Sequence, residues 1–179
     1  MRARVPNPVL VVMGVAGSGK STLAAQLAQR LGWPLQEGDA LHPQANVDKM
    51  AAGQPLGDAD REPWLQRIAA WIDARIAAGE PGIVTCSALK RAYRDALRRE
   101  AVRFVHLTGA RDLLAQRMLE RSGHFMPPSL LDSQLATLEA PGADEDAITI
   151  DIALAPEAQI AAVLTWLGTD LREAADPAR

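Results

Sequence analysis

A chain of 179 residues is long enough for one α/β domain with a sizeable core, and its 48% apolar content is ordinary for a globular protein. A net charge of -3 gives no electrostatic case for nucleic acid or an anionic membrane as partner, and a single cysteine, Cys86, excludes an internal disulfide and fits a reducing compartment. No apolar run approaches membrane-spanning length, so a cytoplasmic protein is expected.

The first predicted strand is the apolar run Val9 to Met13. It enters Gly14-x-x-x-x-Gly19-Lys20-Ser21, the full phosphate-binding loop pattern. Leu23, Leu27 and Leu31 then mark a helix that stops at Gly32 and Pro34. Strand, glycine loop and helix in this order predict a nucleoside triphosphate site. Backbone N–H groups from Gly14 through Val15, Ala16, Gly17, Ser18 and Gly19 to Thr22 are expected to turn onto phosphate oxygens at a helix N-terminus. Lys20 is expected to reach the β- and γ-phosphates, and the Ser21 hydroxyl to ligate Mg²⁺. The basic start, Met1 to Arg4, precedes apolar residues as a signal peptide does, but cleavage there would destroy this loop.

A short second strand is predicted over Leu35 to Glu37, followed by Gly38-Asp39. At strand spacing Glu37 and Asp39 share a face at the sheet's ligand-binding end. A carboxylate there can hold Mg²⁺ through water or accept a proton from a substrate hydroxyl; the alternative is a solvated turn. Residues 44 to 53 read as a short helix. A longer one starts near Asp58 or Asp60 as cap, with Leu65, Ile68, Ile72 and Ile76 as its buried stripe and Trp64 and Trp71 as packing residues. Arg61 sits at this helix entrance, where the dipole disfavours a cation. It points to an anionic ligand or to an ion pair with Asp58 or Asp60.

The third predicted strand, Ile83 to Cys86, ends without an acidic residue, which throws the metal and base roles back on Glu37 and Asp39. Cys86 reads as a small buried residue. Lys90 and Arg94 share a helix face, either as anion ligands or as a solvated basic face. A fourth strand, Val102 to Leu107, precedes a helix carrying Arg117 and Arg121 at i and i+4. With Gly123 and Pro127-Pro128 behind them, these arginines describe a lid that closes over phosphates; His124 lies within it. A helix over Ser129 to Leu138, a strand over Ala147 to Ile152 and an amphipathic helix through Ile160, Val163, Leu164 and Leu167 complete the chain. The alternation predicts an α/β fold: a single P-loop kinase domain over residues 1–168, with a five-stranded parallel sheet flanked by helices, a small mobile lid at about 121–128 and a polar tail at 169–179.

Three blocks extend this reading. They are Glu37-Gly-Asp39-x-Leu41-His42-Pro43 through Trp64-Leu65, Cys86-Ser-Ala-Leu-Lys90-x-x-Tyr93-Arg94, and Gly123-His124-Phe125-Met126-Pro127 through Ser133-Gln134 and Pro141. With the loop they resemble the bacterial gluconokinases over residues 9 to 151; only Glu37, often Asp in that family, departs mildly. The resemblance implies ATP- and Mg²⁺-dependent phosphorylation of D-gluconate at its 6-hydroxyl, a fold similar to shikimate kinase, and a homodimer. On this reading Lys20, Asp39, Arg117 and Arg121 are catalytic, with Asp39 receiving the hydroxyl proton. Arg117 is also an ATP contact. Ser21 and, through water, Glu37 hold the metal. Arg61, Lys90 and Arg94 are candidates for the gluconate carboxylate, and His42, Lys49, Ser87, His124 and Gln134 for the rest of the substrate. The rivals are a kinase for another small anion, such as shikimate, a nucleotide-sensing regulator, and a bare P-loop ATPase module.

Overall fold

The computed structural model describes residues 6–121 and 128–168. The predicted lid between Arg121 and Pro128, with His124 inside it, and the predicted tail from residue 169 lie outside these residues. In chain order the elements are β1 (Val9–Met13), α1 (Lys20–Leu31), β2 (Leu35–Glu37), a 3-10 turn (Gly38–Leu41), α2 (Gln44–Ala51), α3 (Asp58–Ala77), β3 (Gly82–Thr85), α4 (Arg91–Leu97), β4 (Val102–Thr108), α5 (Arg111–Glu120), α6 (Pro128–Thr137), β5 (Ala147–Asp151) and α7 (Pro156–Leu167).

The strands form one five-stranded sheet in the order β2-β3-β1-β4-β5, with every neighbouring pair parallel. This is the predicted architecture. β1 is central and apolar at every position because both its faces are covered. Alternate residues serve opposite layers. Leu10 and Val12 pack with Leu23 and Leu27 of α1, Leu114 of α5 and Val163 and Leu164 of α7. Val9, Val11 and Met13 pack with Trp64, Ile68 and Ile72 of α3 and Leu97 of α4. No helix among the described residues is long and apolar enough to cross a membrane.

Local details differ from expectation. β3 begins one residue early, because Gly82 is in register with Val9, and it ends at Thr85 rather than Cys86. The N-cap of α3 is Gly57, not an aspartate. Asp60 acts from inside the first turn, accepting the Gly57 N–H at 2.9 Å.

The largest correction concerns Arg94. Lys90 is extended backbone ahead of α4 (φ -91°, ψ 147°), so the helical i, i+4 relation fails and the two residues do not share a face. The Arg94 side chain is 0% exposed and pairs with Glu145, itself 1% exposed. Its Nε donates to Oε1 at 2.6 Å and its Nη2 to Oε2 at 3.1 Å, while Nη1 donates to the carbonyls of Ala88 and Leu89. Glu145 also accepts the Gly142 N–H at 2.8 Å. Arg94 is therefore a buried tie between the β3–α4 and α6–β5 loops, and it leaves the substrate-binding set.

Removing one partner of such a pair strands the other charge. Glu145→Ala is expected to cost about 3–5 kcal/mol in urea unfolding at neutral pH. Arg94 holds the Glu145 carboxyl below its ordinary range. The pair's contribution is thus complete above the unfolded-chain value of about 4.3 and is lost as pH falls through the lower folded value, where wild type and variant are expected to converge in stability.

Candidate active site

The phosphate loop joins β1 to α1 at the carboxyl end of the sheet. Gly17 (φ +79°) requires glycine twice over: its backbone is left-handed, and a Cβ would sit 2.7 Å from Met118 Cγ and 2.9 Å from the Leu114 carbonyl. Three loop amides are engaged inside the protein. Gly14 N–H donates to the Ser87 carbonyl, Ser18 N–H to the Val15 carbonyl and Ala16 N–H to Gln134 Oε1 at 2.7 Å. The N–H groups opening α1, from Lys20 onward, have no intrahelical acceptor. Lys20 Nζ lies over the loop, donating to the carbonyls of Gly14 (2.9 Å) and Val15 (3.1 Å). Burial lowers the Lys20 pKa; the charges of Asp39 and Glu37 oppose this, and that of Arg121 reinforces it. All three charges therefore act on the loop lysine.

On one side of the loop lies an oxygen cluster. Ser21 Oγ donates to Glu37 Oε2 at 3.0 Å, and Thr85 Oγ1 donates to the same oxygen at 2.6 Å. The Thr85 hydroxyl also accepts the Gly38 N–H at 3.0 Å. Thr85 ends β3, a strand that closes without an acidic residue; a hydroxyl there fixes the carboxylate supplied by β2. A polar residue closing an apolar strand was the signal available in the sequence.

Asp39 is not on a strand face with Glu37 as the spacing suggested, because the chain turns into the 3-10 turn at Gly38. A Cβ at Gly38 would fall 1.9 Å from the Thr85 carbonyl, so only glycine lets the turn press against β3. Trp64, read from the sequence as packing, also donates its Nε1–H to the Gly38 carbonyl at 2.8 Å. His42 stacks on the Trp64 ring, with centroids 4.3 Å apart. Asn46 Nδ2 donates to the Asp60 carbonyl and lies 3.1 Å from His42 Nδ1. Desolvation lowers the His42 pKa, so the neutral ring is favoured. Asp39 is exposed on a braced turn.

The predicted cations divide. Lys49 pairs with Asp60 at 2.8 Å and Lys90 with Asp58 at 3.0 Å; the Tyr93 hydroxyl donates to Asp58 as well. Arg61 makes neither of the ion pairs expected of it. Its Nε donates to the Leu56 carbonyl at 3.4 Å and its guanidinium lies 5.6 Å from the Tyr93 ring centroid. Ser87 is half-buried beside the loop, and its carbonyl accepts from Gly14. Gln134 was expected to meet substrate. Its oxygen instead holds Ala16, because α6 packs beside the loop through the buried Leu131. Cys86 is buried, which pushes its thiol up to about 12, so it is no nucleophile.

On the other side of the loop is a cavity of about 310 Å³ lined by Gly17, Gly19, Thr22, Arg117, Arg121 and Gln159, among others. Arg121 has left the helix (φ -74°, ψ 103°), yet it and Arg117 still line the same cavity. Arg117 Nη2 donates to the Ile152 carbonyl at 2.7 Å. Gln159, which the sequence reading missed, is buried in the first turn of α7. The loop thus lies between an oxygen cluster at the ends of β2 and β3 and a cavity lined by Arg117 and Arg121 together with Glu120.

Comparison with known proteins agrees. Residues 9–141 match the AAA domain family. A gluconokinase from Gluconobacter oxydans is 57% identical over 143 residues, covering 79% of this chain and 80% of that protein. A solved gluconokinase from Sinorhizobium meliloti superposes with a TM-score of 0.83 at 46% identity, covering 93% of this chain and 94% of that one. A sugar kinase from Janibacter sp. HTCC2649 gives 0.86 at 50% identity, covering 93% and 98%. Similarity of this extent, over nearly the whole domain, shows that the chain belongs to the gluconokinase family.

Proposed function

We propose that the protein transfers the γ-phosphoryl group of ATP to the 6-hydroxyl of D-gluconate, giving 6-phospho-D-gluconate and ADP. Supporting this reading, Asp39 stands on an exposed turn after β2 with its charge acting on Lys20, while Arg117 and Arg121 line a cavity that reaches the loop. Lys20 and the free amides opening α1 orient the triphosphate and offset charge that develops on it during transfer. Asp39 accepts the hydrogen bond of the incoming hydroxyl and takes its proton as the new bond forms. Arg61, whose guanidinium makes no salt bridge among the described residues, is the best-placed cation for the gluconate carboxylate. His42 and Ser87 line the same side and suit the polyol, and Lys49 and Lys90 complete the set once their aspartate pairs rearrange. Arg117 and Arg121 act from the donor side, on the nucleotide and the transferred phosphate.

The hydroxyls of Ser21 and Thr85 and the carboxylate of Glu37 are hard oxygen donors, which fit Mg²⁺. Ser21 would ligate the ion directly and Glu37 through water, and the ion would neutralise charge on the phosphates. The homodimer is proposed from the family resemblance, and a cytoplasmic location from the use of ATP and a single buried thiol.

A coupled ADP-release assay with gluconate, shikimate and glycerate tests this reading. Turnover is expected with gluconate alone. Asp39→Asn is expected to lower kcat by about 10²–10⁴-fold while ATP affinity stays within a few-fold. Turnover with another acceptor instead would discard the substrate. Thr85→Val, which frees Glu37 without removing it, is expected to raise the Mg²⁺ concentration for half-maximal rate by about 10-fold or more, measured by metal titration at saturating ATP.

A further inference from the structure

The donor-side cavity holds a buried carboxamide that the mechanism above leaves unused. Gln159 is 8% exposed. Its Nε2 donates to the Leu154 carbonyl at 3.0 Å and to the Ile152 carbonyl at 3.4 Å. Ile152 also receives Arg117. Two carbonyl oxygens can be met only by an NH₂ group, so the chemistry of these neighbours fixes which end of the carboxamide is which. Oε1 is therefore the other end. It accepts no hydrogen bond among the described residues, and it is not one of the buried polar atoms sealed from solvent. It is an oriented acceptor on a residue that lines the cavity.

The sheet sets where this acceptor stands relative to a nucleotide. The phosphate loop leaves the end of β1, and Ile152 follows the end of β5, two strands away across β4. Two strand spacings are about 10 Å, and a single cavity runs from Gly17 and Gly19 of the loop to Gln159, so a nucleotide whose phosphates lie in the loop would extend its base toward Gln159. The far edge of that base carries an amine in adenine and a carbonyl oxygen in guanine. A fixed acceptor attracts the first and repels the second. It cannot rotate to offer its NH₂ without abandoning two backbone carbonyls.

We propose that Gln159 is the residue that selects adenine, its Oε1 accepting a hydrogen bond from the exocyclic 6-amine. This rests on the reading of the cavity as the nucleotide site, and it is independent of the acceptor substrate. The test is calorimetric binding of ATP, GTP and purine riboside triphosphate, which lacks the 6-amine, to the full chain without gluconate. Wild type is expected to prefer ATP over the purine analogue by about 10-fold, one good hydrogen bond, and over GTP by more. Gln159→Met removes the acceptor, and the ATP preference over the analogue is expected to fall to within about 2-fold. Gln159→Lys keeps a donor for the Ile152 and Leu154 carbonyls but has no acceptor. Its added charge acts equally on every triphosphate, so the ratio is expected to collapse in the same way even if Gln159→Met fails to fold. A wild-type ratio retained in the variants would overturn the proposal. So would a changed preference for ATP over its 2′-deoxy form with the 6-amine preference intact, which would place Gln159 on the ribose. Absence of ATP binding by wild type would overturn the nucleotide site and this inference together, whereas ATP binding without gluconate turnover would overturn only the substrate.

Discussion

One oxygen of Glu37 organises the site. It receives hydrogen bonds from Ser21 at the start of α1 and from Thr85 at the end of β3, and so joins three elements of different sequence origin at one atom. The Thr85 hydroxyl then accepts from Gly38, the residue that turns the chain away from β2 and presents Asp39. Registration of β2 on β3 places Glu37 directly beside Thr85. A carboxylate left alone there would repel phosphate. Held by two hydroxyls it becomes part of an oxygen cluster suited to a divalent cation, and its negative charge is spread where the loop lysine can feel it.

A second, buried constraint ties the loop after β3 to the loop before β5. The Arg94–Glu145 pair has no water to compete with it, and it reaches two backbone carbonyls of the loop that carries Ser87 and Ala88. That loop adopts an unusual conformation at Ala88 (φ +46°), and its Ser87 carbonyl receives the first amide of the phosphate loop. A positively charged residue that looks like a substrate ligand in the sequence thus acts as scaffolding. An isolated charge inside the protein would be prohibitive, so its burial required Glu145, which lies 51 residues further along the chain.

Much of this was legible in advance because it rests on short-range rules. Apolar runs gave the strands, and β-α alternation gave the parallel sheet. The glycine pattern gave the loop, with Lys20 and Ser21 at its end. Two misreadings share one cause: they assumed that local geometry continued past an element's end. Glu37 and Asp39 are two apart but straddle the end of a strand, and Lys90 and Arg94 are four apart but straddle the start of a helix. Gln134 and Gln159 carried no local signal, since an amide on a helix surface looks alike whether it faces solvent, a loop N–H or a cavity.

Residue type and spacing by themselves determined the fold class, the phosphate loop and the family blocks, since strand and helix periodicity and a contiguous loop motif act over a few residues. Tertiary structure alone decided which charges are free. Lys49 and Lys90 are held by aspartates of α3, Arg94 is sealed against Glu145, and Arg61 retains a guanidinium without an ion pair among the described residues. These four cations are equivalent in one dimension. Burial and the position of partners distant in sequence separate them, because an ion pair is settled by distance in space and by access to water.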